Sequence, residues 1–147
     1  MFFDDLPVGY TFTTGTRQLG LDEILEYARK YDPQPFHLDA DAAANSHFGG
    51  IVASGMHTLS AAFTLTLQAD IWNEASQGSP GMNDVRWLLP VRSDDILTVR
   101  AEVVKSTPLR SRPDTGMTEI TYDVLNQNGE TVMRYTIIHM LFRRPAK

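Results

Sequence analysis

The apolar positions of this chain change their period along its length, and that change predicts its elements. "GYTFTTGTRQL", Gly9 to Leu19, is rich in aromatic and β-branched residues and reads as a first strand. In "LDEILEYARKY" the apolar residues fall at Leu21, Ile24, Leu25, Ala28 and Tyr31, one face of a helix. Pro33 ends that helix at or before Asp32. "DADAAANS" predicts one or two helical turns, and the paired glycines of "FGG" a tight turn.

Ser54 to about Trp72 predicts one long central helix. Met56, Leu59, Phe63, Leu67 and Ile71 make one apolar stripe, and Ala62, Leu65, Ala69 and Trp72 a second. His57, Ser60, Thr64 and Gln68 make a smaller polar stripe. A helix apolar on most sides is expected to be buried, and its many small residues to lie against a close partner. Ser54 stands where an N-cap belongs.

After the turn-rich "SQGSPGMND" only strand signals remain. "VRWLLPV" alternates Val85, Trp87, Leu89 and Val91 on one face. "ILTVRAEVVKS" sets Leu97, Val99, Ala101 and Val103 against Thr98, Arg100 and Glu102. "TEITYDVLNQ" and "TVMRYTIIHMLF" flank Asn128-Gly129, a hairpin signal. This order predicts an α+β fold in which one antiparallel β-sheet wraps one long central helix. With no repeat, no low-complexity tract and no linker, residues 1–147 are expected to form a single domain.

Composition narrows the function. The 147 residues are 42% hydrophobic and 21% charged, a globular rather than a disordered balance. The net charge is −5, and the only basic clusters are Arg110 to Arg112 and Arg143-Arg144, which argues against nucleic acid as a partner. Cysteine is absent, so disulfides, thiolate nucleophiles and cysteine-ligated zinc are excluded. The N-terminal "MFFDDLPVGY" carries acids where a signal peptide has bases, and no apolar run has the length of a bilayer span. A cytoplasmic protein without a membrane partner is the expectation. The four histidines show no H-x3-H or H-E-x-x-H spacing, so no metal is expected.

The candidate chemistry lies in "YDPQPFH", Tyr31 to His37. Its prolines are expected to stiffen the backbone and keep it out of helix and ladder. They mount a carboxylate, Asp32, and an imidazole, His37, whose ordinary titration lies near neutral pH. On the residues alone, a platform for acid–base work and an ordinary helix exit both stay open. A helix C-terminus is electrostatically poor for an anion, which adds weight to function for Asp32.

Four pieces in order resemble the MaoC-like dehydratases, which include the R-specific enoyl-CoA hydratases. "DPQPFH" is similar to that family's D-x-N-P-x-H motif. "FGGIVASGMHT" resembles the loop into its central helix, "VRWLLPVRSDDIL" its next strand and turn, and "VLNQNGETVM" its terminal hairpin. The resemblance spans nearly the whole chain and implies a hotdog fold. It implies Asp32 and His37 as the catalytic pair that activates water, and the backbone N–H of Gly55 as the oxyanion contact. The substrate is then an acyl-CoA thioester, with coenzyme A part of the substrate and no separate cofactor, and the expected assembly is a homodimer. Two residues depart from the family. Gln34 stands for its asparagine, and Phe63, with Ser60 and Thr64 nearby, for a serine found on the helix of some members.

Other residues carry weaker expectations. Gln34, Phe36, Ser54 and Trp87 are candidates for substrate contact, with Phe48 as a further pocket aromatic. Arg110 and Arg112 of "RSRPD" are candidate phosphate ligands, although solvated charges at a hairpin tip are the stronger reading. "GSPG" lacks the lysine and helix of a phosphate loop and reads as a turn. His57 is read as a structural histidine bonded to the sheet or a dimer partner, His47 as a loop residue and His139 as a strand residue. Two competitors share the fold class: a hotdog thioesterase, and a non-catalytic acyl-CoA or acyl-carrier binding module.

Overall fold

The computed structural model describes residues 1–146. Five antiparallel strands form one sheet in the order β1-β3-β4-β5-β2. They are β1 (Thr11–Gln18), β2 (Gly81–Trp87), β3 (Ile96–Pro108), β4 (Thr115–Leu125) and β5 (Thr131–Phe142). Between β1 and β2 lie α1 (Leu21–Tyr31), α2 (Pro35–Leu38), α3 (Ala40–Ala44) and the long α4 (Gly55–Gln68). The sheet wraps α4, which is the hotdog arrangement of an α+β fold.

The alternation in β3 holds residue by residue: Leu97, Val99, Ala101 and Val103 are buried. They join Ile120, Tyr122 and Val124 of β4 and Met133, Tyr135 and Ile137 of β5 in one core. On α4 the buried residues are His57, Thr58, Ala61, Ala62, Leu65 and Thr66. Small side chains on that stripe let the helix axis sit close to the sheet. The terminal hairpin closes through Asn126 to Glu130, with Gly129 at φ 75 as the turn requires.

Three local expectations are corrected. The two prolines do not keep Tyr31–His37 out of helix. Pro33 ends α1, but Pro35 opens α2 at its first turn, where a missing N–H costs no hydrogen bond. His37 is therefore a helical residue. The strand expected from Val85 begins earlier, at Gly81, and stops at Trp87. Its "GMND" start reads as a turn because β2 is an edge strand, bulged near Asp84 (φ 53) and paired only with β5. Of the residues expected to share one face, Val91 is buried whereas Trp87 and Leu89 are exposed.

The central helix is not buried all round either. Met56, Phe63 and Leu67 form an exposed apolar stripe along α4 in the single chain. Ser54 occupies the N-cap position but makes no capping hydrogen bond through its side chain.

Candidate active site

Three segments converge on one cleft of about 650 Å³: the junction of α1 and α2, the start of α4, and the chain leaving β2. Ala53 N–H donates to the Val91 carbonyl at 2.8 Å, and Val52 bridges Arg92, so the approach to α4 is strapped to the segment after β2.

His37 is held from that strap. Its Nδ1 lies 2.6 Å from the Val52 carbonyl oxygen, and the ring is 5% exposed. A carbonyl only accepts, so Nδ1 carries a proton. The other nitrogen, Nε2, lies 3.2 Å from Asp32 Oδ2. A single proton between those atoms makes a hydrogen bond, whereas without one two lone pairs face each other. The geometry suits a pair that holds one proton between its two atoms.

Asp32 caps the C-terminal end of α1, and the unfavourable helix end is offset by side chains. Gln34 Nε2 donates to Asp32 Oδ1 at 2.6 Å. Partial burial pushes the Asp32 carboxyl up, but Gln34, Ser54 and the His37 ring together outweigh it and hold the group below its ordinary value. The Ser54 hydroxyl favours the charged form although its buried oxygen completes no hydrogen bond of its own. Gln34 thus does bond the acid from its motif position.

Gly55 is the first residue of α4, and its N–H has no intrahelical acceptor. It faces the cleft at the positive end of the helix dipole. The edge of the Trp87 indole lies against it. A Cβ at Gly55 would stand 2.5 Å from Trp87 Nε1, so a larger residue would push that ring away, and the Nε1–H donates to the Gly55 carbonyl at 2.9 Å. The walls are largely apolar. The Phe36 ring lies 4.5 Å from the His37 ring and 5.4 Å from that of Phe48.

The structure thus brings Asp32, Gln34, Phe36, His37, Phe48, Gly55 and Trp87 to one cleft, with Ser54 buried beneath it. It does not bring Arg110 and Arg112 there. They sit in the β3–β4 turn beside Phe142, at the end of β5 away from Val132, the β5 residue that lines the cleft. Arg112 donates instead to Gln77 Oε1 at 2.5 Å. Phe63 is exposed and lies off the cleft, while the Ser60 and Thr64 hydroxyls bond their own helix. His57, expected to reach the sheet or a partner, makes no bond to the sheet. Its Nε2 meets Glu23 of α1 at 3.3 Å and its ring stacks on Tyr27, and burial lowers its pKa despite that carboxylate. His139 lies on β5 with Nε2 2.8 Å from the Tyr122 hydroxyl, and burial pushes it down to about 4. No group of three or more acids or histidines among the described residues is placed to hold a metal.

Sequence reasoning missed His47 and Arg92, both of which line the cleft. Arg92 was open to notice as a lone cation just after the apolar run Trp87 to Val91.

A family model described as MaoC like domain matches residues 7–128. The chain is similar to the MaoC-like dehydratase from Rhodospirillum rubrum, with a TM-score of 0.94 and 37% identity over 99% of both chains. It is 30% identical over 127 residues to the uncharacterized protein YdeM of Bacillus subtilis (strain 168), covering 86% of this chain and 89% of that one. It is 28% identical over 138 residues to the 3-hydroxybutyryl-CoA dehydratase of Methylorubrum extorquens, covering 91% of this chain and 83% of that one.

The Gln34 contact makes a prediction that requires no substrate. Replacing Gln34 by Leu removes a donor to the charged form, so the Asp32 pKa is expected to rise toward the ordinary carboxylate value. Because the folded pKa is the depressed one, ionised Asp32 contributes stability above the unfolded pKa, and this is lost as pH falls through the folded pKa. Gln34→Leu should shrink that contribution. Carboxyl ¹³C NMR titration of wild type and variant reads the shift directly; identical Asp32 titrations would show that Gln34 does not hold the charge.

Proposed function

The chain belongs to the MaoC-like domain family, and from that premise we propose that it is an enoyl-CoA hydratase/dehydratase, adding water reversibly to a 2-enoyl thioester. One observation carries the reading. Asp32 and His37 meet at 3.2 Å in an apolar cleft, beside the free N–H that opens α4. Hydration of a conjugated thioester asks for a base, an acid and a donor for the charge that builds on the thioester oxygen.

Those roles fit the pair when it holds its one shared proton as imidazolium and carboxylate. Water attacks C3 and gives a proton to the Asp32 carboxylate as the new C–O bond forms. The π electrons move toward the thioester oxygen, which the Gly55 N–H and the helix dipole stabilise. His37 Nε2–H then delivers a proton to C2, and the thioester carbonyl is restored. One proton has entered the pair and one has left, and transfer from Asp32 to His37 across their contact resets it. Dehydration runs the same steps backward. Nδ1 stays committed to Val52 throughout, so the ring neither flips nor changes its role. Phe36, Phe48 and Trp87 form the acyl wall. The R stereochemistry follows the family's R-specific hydratases, and coenzyme A enters only as part of the substrate.

A homodimer accompanies this reading. The outer edge of β2 is unpaired, and Met82 on it and Met56, Phe63 and Leu67 on α4 are exposed. A second copy would pair the edge and cover the stripe.

Purified protein is expected to remove the conjugated enoyl absorbance of crotonyl-CoA or of a longer 2-enoyl-CoA without releasing thiol. Asp32→Asn and His37→Ala, each checked for folding by circular dichroism, should each lower kcat about a hundredfold or more. Thiol release would identify a thioesterase, and binding without turnover, indifferent to Asp32→Asn, a binding module. Light scattering should give twice the 16.5 kDa of the chain; a monomer mass would remove the dimer.

A further inference from the structure

We propose that Arg92 makes an anion subsite in the cleft, reading a second negative group on the thioester substrate. The inference rests on the thioester reading above and deepens it. It begins from a contrast in the lining: the wall formed by Phe36, Phe48 and Pro90 is apolar, and Arg92 breaks it with a fixed positive charge.

That charge is held rather than free to wander. The Arg92 backbone bridges Val52, the residue whose carbonyl holds His37, and its N–H donates to Asp95 Oδ2 at 2.8 Å. Its Nη2 donates to the Phe48 carbonyl at 2.6 Å. Among the described residues no carboxylate comes within salt-bridge distance of the guanidinium. Its other N–H donors have no protein acceptor there, and a guanidinium presents several in one plane, suited to a carboxylate or phosphate. His47, exposed on the same wall with its ring 3.9 Å from that of Phe48, adds a second group able to donate to an anion.

Position separates this subsite from the reaction. The rings run from His37 to Phe36 to Phe48, and Arg92 is anchored on the last of these. The anion therefore belongs to a part of the substrate beyond the reacting carbons. Two sources share that chemistry: a carboxylate on the acyl chain, as in a dicarboxylic thioester, and a phosphate of the coenzyme A portion.

Saturated thioesters cannot be hydrated, so their affinities test the subsite apart from catalysis. Calorimetry would compare wild type, Arg92→Gln and Arg92→Lys with butyryl-CoA, glutaryl-CoA and the N-acetylcysteamine thioesters of butyrate and glutarate. Arg92→Gln is expected to weaken anionic probes by about tenfold, with part of that restored in Arg92→Lys, and to spare neutral S-butyryl-N-acetylcysteamine. Loss on S-glutaryl-N-acetylcysteamine would locate the anion on the acyl chain. Loss on butyryl-CoA and glutaryl-CoA, but on neither N-acetylcysteamine thioester, would locate it on a phosphate. Equal losses on all four probes would mean that Arg92 only props the Phe48 loop, and no loss on any would mean that it reads nothing; either result overturns the proposal. Wild type that binds no thioester would remove both this inference and the reading beneath it. Wild type that binds these probes through Arg92 but hydrates no enoyl-CoA would remove the hydratase and leave the subsite standing.

Discussion

The site is organised by one hydrogen bond, from His37 Nδ1 to the carbonyl of Val52. Imidazole has two nitrogens, and whichever is committed to a fixed acceptor dictates what the other offers. With Nδ1 spent on the backbone, Nε2 is left for Asp32 and for whatever enters the cleft. The acceptor is fixed because Val52 is gripped from both sides. Its N–H reaches the Phe36 carbonyl at 3.4 Å, it bridges Arg92, and Ala53 bonds Val91. The pair is thus referenced to the junction of α2, α4 and the chain leaving β2, not to a mobile side chain.

The same junction sets the polarity of the cleft. It opens α4 there, so an unpaired amide and the positive helix end lie beside a carboxylate and an imidazole. Trp87 lies against Gly55 with no room for a Cβ between them, and bonds the first carbonyl of the helix. Behind it, small residues on α4 keep the helix close to the sheet, and the alternating core of β3, β4 and β5 keeps the sheet in register. Polar groups whose charges are costly to bury are therefore confined to one edge of an otherwise apolar body.

Much of this was readable before any coordinates. The period-two runs of β3, β4 and β5 are long and half-buried, so packing and propensity point the same way, and the order of elements follows. Asp32, His37 and Gly55 lie close in sequence to the elements that hold them, and their motif spacing carries them to one place. What failed did so where distant contacts decide. Pro35 reads as a breaker in sequence, yet it starts α2, because an N-terminal position asks for no N–H. The start of β2 is polar because an edge strand has only one neighbour to satisfy. His57 found Glu23 and Tyr27 on α1, thirty-odd residues earlier, by a helix-on-helix contact that no local spacing encodes. Arg92 joins the site through a backbone bridge to Val52 and a side-chain bond to the Phe48 carbonyl.

The claim on which the account turns is that His37 keeps its proton on Nδ1 and shares one proton with Asp32 through Nε2. ¹⁵N NMR of histidine-labelled protein, followed across the pH range of folded protein, tests it most directly. The account predicts that His37 Nδ1 carries its proton wherever the protein is folded, and that Asp32→Asn changes the Nε2 signal while leaving the Nδ1 proton in place. A neutral His37 carrying its proton on Nε2, or an Nε2 signal indifferent to Asp32→Asn, would contradict it.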